Sequence, residues 1–202
     1  MAELVAYRLA SWDTPFWVNP NRGAARYHDA LAGPTQYLSL HPLGPWAEHL
    51  RAHGIREPER LAELRLRLWA VRVVVERVED LGFDAAERHG LRPGDLVADD
   101  HGPCRAFADR VRLDPAAPKA WRVPSAALPG SRNLVIFGPR VLSAYGVAAL
   151  DPEVDVPAAV AAERATTIAG LLGAVRHRGQ RHAELEAWRR GRAYRLDEPA
   201  VR

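Results

Sequence analysis

The sequence predicts an α+β fold in one domain, and three observations carry that expectation. Strand-like segments are interrupted by short helices without regular strand–helix alternation, which argues against a doubly wound sheet. No glycine-rich loop follows any of those strands, so the Rossmann and P-loop signatures are both missing. A chain of 202 residues with 48% apolar and 26% charged content is long enough to bury one sizeable core.

Leu4 to Ala10 reads as the first strand, closed by a loop that Pro15, Pro20, Asn21 and Gly23 mark. Gly33 and Pro34 precede a short strand, Gln36 to Leu40. Pro45 suits the first turn of a helix and Gly54 its end, with Ala47, Leu50 and Arg51 at helical spacing between them. Leu64, Leu66 and Leu68 alternate with Arg65 and Arg67 ahead of the apolar run Val73 to Val75, which predicts one long strand from Leu64 to Val78. Short helices at Phe83 to His89 and Pro103 to Arg112 follow, then strands at Trp121 to Val123 and Asn133 to Phe137. From Pro157 to Arg195 the chain reads as an alanine- and arginine-rich helical segment, broken near Gly179, behind a motif-bearing core of residues 4–150.

Composition narrows the function. The first segment has no apolar run of the length an export signal needs, and no stretch approaches the roughly 20 apolar residues of a membrane-spanning helix. A cytoplasmic location is therefore expected. Cys104 is the only cysteine, so an intramolecular disulfide and a cysteine-based zinc site are excluded. The net charge of +3 is arginine-dominated, with Lys119 the sole lysine, and without a clustered basic face it does not argue for nucleic-acid binding.

Arg26, Tyr37 and Glu48 stand at successive junctions: after a loop, early in a strand, and in the first turn of a helix. Functional residues concentrate at such places. Each also has an ordinary role available, as an exposed arginine, a half-buried strand tyrosine and a glutamate favoured by the helix dipole. At this point the segment resembles the RES-domain family, named for its arginine, glutamate and serine, whose characterised members are NAD-degrading toxins. Arg26 matches the family arginine, Tyr37 in QYLSL its strand tyrosine, and Glu48 in PWAEHLR its glutamate. In VPSAALPGSRNLVIFGP, Ser125 matches the serine and Asn133 the asparagine that begins a strand, while Tyr7 and Arg8 match the tyrosine–arginine pair of the first strand. One departure is that Arg26 is followed by Tyr27 and His28 where many members have an aromatic and an asparagine.

The resemblance implies a fold related to ADP-ribosyltransferases, with NAD as substrate and no further cofactor or metal. It also implies a separate Xre-type antitoxin as partner, and leaves a homodimer open. Cleavage of the nicotinamide–ribose bond passes through an oxocarbenium-like state, which a carboxylate can stabilise, and Glu48 is the candidate. Arg26 and Arg8 suit the pyrophosphate, Tyr37 the nicotinamide ring, and Ser125 an orienting hydrogen bond. Water, phosphate or a protein side chain as acceptor would make a glycohydrolase, a phosphorylase or an ADP-ribosyltransferase. A non-enzymatic nucleotide- or nucleic-acid-binding module is the alternative from another class.

Other features are assigned structural roles. His49 and His53 stand four apart on the helix but lack a third metal ligand with telling spacing. Asp99, Asp100 and His101 read as a turn and helix cap, and Trp46, Trp69 and Cys104 as packing. The seven arginines from Arg176 to Arg195 read as a solvated helical face.

Overall fold

The computed structural model describes residues 2–10, 23–138, 145–149, 156–157 and 168–197. Seven strands form one sheet: Ala2–Leu9 (β1), Thr35–Ser39 (β2), Leu68–Val75 (β4), Val78–Asp80 (β5), Ala120–Pro124 (β6), Arg132–Phe137 (β7) and Tyr145–Ala149 (β8). Their order is β5-β6-β7-β2-β1-β4-β8, and a separate ribbon pairs Arg65–Leu66 (β3) with Val156–Pro157 (β9). Five α-helices are described: α1 (Gly44–His53), α2 (Pro58–Ala62), α3 (Gly102–Leu113), α4 (Ile168–Ala174) and α5 (Ala183–Arg189). This is the α+β content the sequence predicts. Among the described residues no helix is long and apolar enough to cross a membrane.

The strand order forces the sheet to fold over. Only Glu76 and Arg77 separate the end of β4 from the start of β5, so Val75 and Val78 lie within about 11 Å of each other. In a flat sheet the five strand spacings between β4 and β5 would hold them about 24 Å apart. The fold line lies between β1 and β2. Those strands pair at one point, Tyr7 opposite Ser39, whereas β1 runs in register with β4 from Ala2↔Val75 to Leu9↔Leu68. The buried cluster of Ala6, Leu38, Val71, Val73, Ala120, Leu134 and Ile136 draws from both sides of this seam, so it is the core between two packed halves.

Strand alternation sends the intervening side chains to the outer face. There Trp121, Val123, Val135 and Phe137 pack with Phe107 and Val111 of α3, while Leu68 and Leu9 pack with Trp46 and Leu50 of α1. Between these two outer clusters the sheet presents polar groups, and the candidate site lies there.

Several expected elements take a different form. The long strand from Leu64 to Val78 is three strands, because β3 pairs with β9, β4 pairs with β1 and β8, and the turn at Glu76 and Arg77 carries β5 to the opposite edge. The helix over Phe83 to His89 shrinks to a 3-10 turn, Ala86–His89, stopped by Gly90 at φ 70°. The C-terminal helix is two short helices, and Pro157 sits in β9; residues 158–167 lie outside the described residues. Its middle is not helical because its donors are taken elsewhere: the Arg176 amide bonds Ala127 O at 2.8 Å and the Gly179 amide bonds Asp99 Oδ2 at 2.7 Å.

Leu134 is fully buried in the core between the halves. Leu134→Ala is expected to cost about 2–5 kcal/mol. Equilibrium denaturation checks this, and a loss under about 1 kcal/mol would contradict the packed seam.

Candidate active site

A cleft of about 480 Å³ lies over the seam, lined by Tyr7 and Arg8 of β1, Tyr37 and Ser39 of β2, Glu48 of α1 and Asn133 of β7. Helix α1 starts at Gly44 behind Pro45 and ends at Gly54, whose φ of 64° suits a residue without a side chain. Gly44 is required for another reason. A Cβ there would stand 1.9 Å from Ser39 Oγ, so only glycine lets α1 settle on β2. Glu48 falls in the second turn of α1 and not, as expected, in the first, so what holds it is side-chain hydrogen bonding and not the helix terminus.

That bonding joins three of the sequence-selected residues. Glu48 Oε1 accepts from Ser125 Oγ at 2.9 Å and from Asn133 Nδ2 at 2.8 Å. Both bonds fall on one oxygen, and among the described residues Oε2 has none. Ser125 is fully buried, and its Oγ also accepts the amides of Ala127 and Leu128 at 3.3 and 3.1 Å, which fixes its hydroxyl proton on Glu48.

Tyr37 and Arg26 are tied through the turn that carries Arg26. The Tyr27 amide donates to the Tyr37 hydroxyl at 3.0 Å, and His28 Nδ1 lies 2.8 Å from the same oxygen. His28 Nε2 is 3.0 Å from Gly23 O, which can only accept, so Nε2 carries a proton. Arg112 of α3 clamps this turn from behind, donating to Tyr27 O and Thr35 Oγ1 at 2.7 Å each, with its guanidinium 4.7 Å from the Phe137 ring centre. Arg26 lines the cleft and donates to Asp95 O at 3.3 Å. Arg8 donates to Gln36 Oε1.

One wall of the cleft is cationic, and the sequence reading missed most of it. Arg51, His101 and Arg178 line it together with Arg26. His101 is held down to about 4 by burial and then by the guanidiniums of Arg26, Arg105, Arg178 and Arg51, so it is neutral near pH 7 and adds no charge to them. Arg51 is buried and donates to Asp99 Oδ1 at 2.5 Å and to Arg176 O at 3.1 Å. Arg176, also buried, donates to Asp99 Oδ1 at 3.3 Å and Val97 O at 2.9 Å. This corrects two expectations. Asp99 joins two guanidiniums instead of capping a helix, and Arg176 turns inward, while Arg178, Arg181, Arg189, Arg190, Arg192 and Arg195 are exposed as the solvated-face reading expects. Asp100 accepts the Gly102 amide at 2.9 Å, an Asx turn leading into α3, whose N-cap position is His101 without a side-chain cap bond.

Other groups keep the structural roles assigned to them. Trp46 and Cys104 are buried, and burial pushes the Cys104 thiol up, away from a reactive thiolate. His49 is held down to about 4 by burial and the neighbouring His53, and among the described residues no group of three or more His, Cys, Asp or Glu could hold a metal ion.

Comparison with known proteins places this geometry. The RES domain model matches residues 5–159. The crystal structure of the M. tuberculosis MbcT-MbcA toxin-antitoxin complex contains a chain that superposes with a TM-score of 0.64 at 23% identity, covering 80% of this chain and 88% of that one; this is a likeness of fold. No curated protein matches the sequence.

The Arg51–Asp99–Arg176 group, two buried guanidiniums on a carboxylate that solvent still reaches, predicts a pH dependence. Burial pushes the Asp99 carboxyl up, but the Gly179 amide and the two guanidiniums outweigh it and hold the value below the usual range. A carboxylate depressed in this way stabilises the fold above its unfolded pKa near 4, and the contribution is lost as pH falls through the folded value. Asp99→Asn is therefore expected to cost about 1–3 kcal/mol at neutral pH. Denaturation at a series of pH values should show the gap from wild type closing below about pH 4; a constant gap would contradict the assignment.

Proposed function

The chain belongs to the RES domain family, and from that premise we propose that it cleaves the nicotinamide–ribose bond of NAD and acts as the toxin of a toxin–antitoxin pair. The observation that carries the reading is the Glu48 carboxylate, supported on Oε1 by Ser125 and Asn133 and lining a cleft that Arg26, Arg51 and Arg178 line with it.

The chemistry follows from these groups. Nicotinamide leaves as a neutral molecule, taking the bonding pair, and positive charge develops on the ribose. Glu48 stabilises that charge through Oε2 and accepts from a ribose hydroxyl, as carboxylates do in glycosidases. Ser125 and Asn133 hold the carboxylate in place before substrate arrives, so no reorganisation is needed as the charge develops. Arg26, with Arg51 and Arg178 beside it, offers guanidinium donors to the pyrophosphate. The rings of Tyr37 and Tyr7 flank the nicotinamide, where contact with the cationic ring is worth about 0.5–2 kcal/mol. A volume of about 480 Å³ falls within the roughly 300–1,000 Å³ typical of small-molecule sites.

Attack by water gives ADP-ribose and a proton; attack by phosphate gives ADP-ribose phosphate. The same reading carries the relation to ADP-ribosyltransferase folds, which break this bond toward a protein acceptor. It also carries a separate antitoxin of the Xre type, with support from the toxin–antitoxin complex in which the similar fold occurs.

Incubation with NAD, with and without phosphate, followed by mass spectrometry is expected to show nicotinamide release and to identify the acceptor. Glu48→Gln is the discriminating variant, because its amide oxygen can accept from Ser125 and Asn133 as Oε1 does, so only the charge is lost. Turnover should fall by about 10²-fold or more with thermal stability unchanged. Full turnover by Glu48→Gln, or no nicotinamide from the folded wild-type protein, would overturn the proposal.

A further inference from the structure

The loop that carries Ser125 is gripped by a part of the chain outside the matched RES segment, which ends at residue 159. His182 Nε2 lies 2.9 Å from Ser125 O, the Arg176 amide bonds Ala127 O at 2.8 Å, and Glu184 Oε2 accepts the Gly130 amide at 2.9 Å. Glu184 also pairs with Arg132 at 2.6 Å, beside Asn133. Gly130, at φ 87°, leaves room for Leu196, whose backbone nitrogen would stand 2.7 Å from an added Cβ.

Of these contacts, the one made by His182 touches the serine itself. Its ring is 3% exposed and makes two directional bonds, Nδ1 accepting the Leu185 amide at 3.2 Å and Nε2 facing the Ser125 carbonyl. One neutral tautomer, with the proton on Nε2, satisfies both. A continuous chain of hydrogen bonds therefore runs from the N-terminus of α5 through His182 and Ser125 to Glu48 Oε1. The Phe83 ring packs on the imidazole, and burial, with Arg176 and Arg51, holds it down to about 4 against the Ser125 carbonyl and Glu184, which raise it, so it is neutral across the neutral range.

Resting on the NAD-cleaving reading above, we infer that His182 is a positioning residue: it fixes the Ser125 peptide so that the serine hydroxyl holds the Glu48 carboxylate in its reactive orientation. The contact is made across 57 residues of sequence, so the C-terminal segment completes a site whose other members lie in the matched domain. His182 touches neither the cleft nor the substrate, and acts only through Ser125.

His182→Asn separates this role from simple helix capping. Asparagine is a favoured N-cap and preserves the bond to the Leu185 amide, but its side chain is too short to reach Ser125 O. Thermal stability should stay near wild type while kcat for nicotinamide release falls about tenfold or more at unchanged KM. His182→Gln, whose amide nitrogen reaches as far as Nε2, should recover most of the rate. Wild-type kcat in folded His182→Asn, or a loss in folded His182→Gln as deep as that in the asparagine variant, overturns the inference. A crystal structure of His182→Asn gives a readout independent of activity. The inference expects the Ser125–Glu48 contact to open beyond hydrogen-bond distance, and a retained 2.9 Å contact overturns it. Absence of nicotinamide release from the wild-type protein would instead strike the NAD reading, and the crystallographic distance would still judge His182.

Discussion

Two residues, Glu76 and Arg77, join strands that the sheet order places at nearly opposite ends, and most of the architecture follows from that short link. The sheet bends where its pairing is thinnest, at the single Tyr7–Ser39 contact, and its two halves close on a core of Ala6, Leu38, Val71 and Leu134. A bend of this kind leaves a furrow on the outer side. Helices α1 and α3 pack to either side of the furrow, each on its own apolar cluster, and neither covers it. The cleft is what the bend leaves open, and its polar lining joins strand residues such as Tyr37, Ser39 and Asn133 to Glu48 and Arg51 of α1 and to Arg26, His101 and Arg178.

The cleft carries charge of both signs. Glu48 stands on α1 with two neutral donors, while Arg51 of the same helix gathers with Arg26 and Arg178 near His101. Asp99 offsets part of the buried charge of Arg51 and Arg176, and leaves those two guanidiniums with one carboxylate between them. Burying such a group without its carboxylate would be costly, and without its arginines Asp99 would keep only the Gly179 amide. The cationic wall thus serves the fold and the cleft together.

The local patterns of the sequence were enough for β1, β2, β6, β7, α1 and α3, because each carries a clear period or a proline and glycine at its ends. The resemblance to the RES-domain family, and not those patterns, picked out Arg26, Tyr37, Glu48, Ser125 and Asn133, of which the last three meet at one carboxylate oxygen. What could not be read was pairing. Nothing between Leu64 and Val78 announces that three different partners divide the segment, since apolar alternation states a face and not a neighbour. Arg51 and Arg176 look like surface residues in an arginine-rich chain, and nothing in the sequence marks His182. Their burial depends on acceptors more than forty residues away, such as Asp99 for Arg51 and Ser125 for His182.

The grip of residues 176–184 on the serine loop also orders events in time. Synthesis runs from the N-terminus, so the carbonyls of Ser125 and Ala127 and the amide of Gly130 leave the ribosome well before the groups that bond them. Until Arg176, His182 and Glu184 emerge, water must satisfy those atoms, and the support of Glu48 is incomplete. A nascent or truncated chain ending before Arg176 would carry Arg26, Tyr37, Glu48 and Ser125 in full yet lack the brace behind them, so the site is braced only after residues 176–184 have been made.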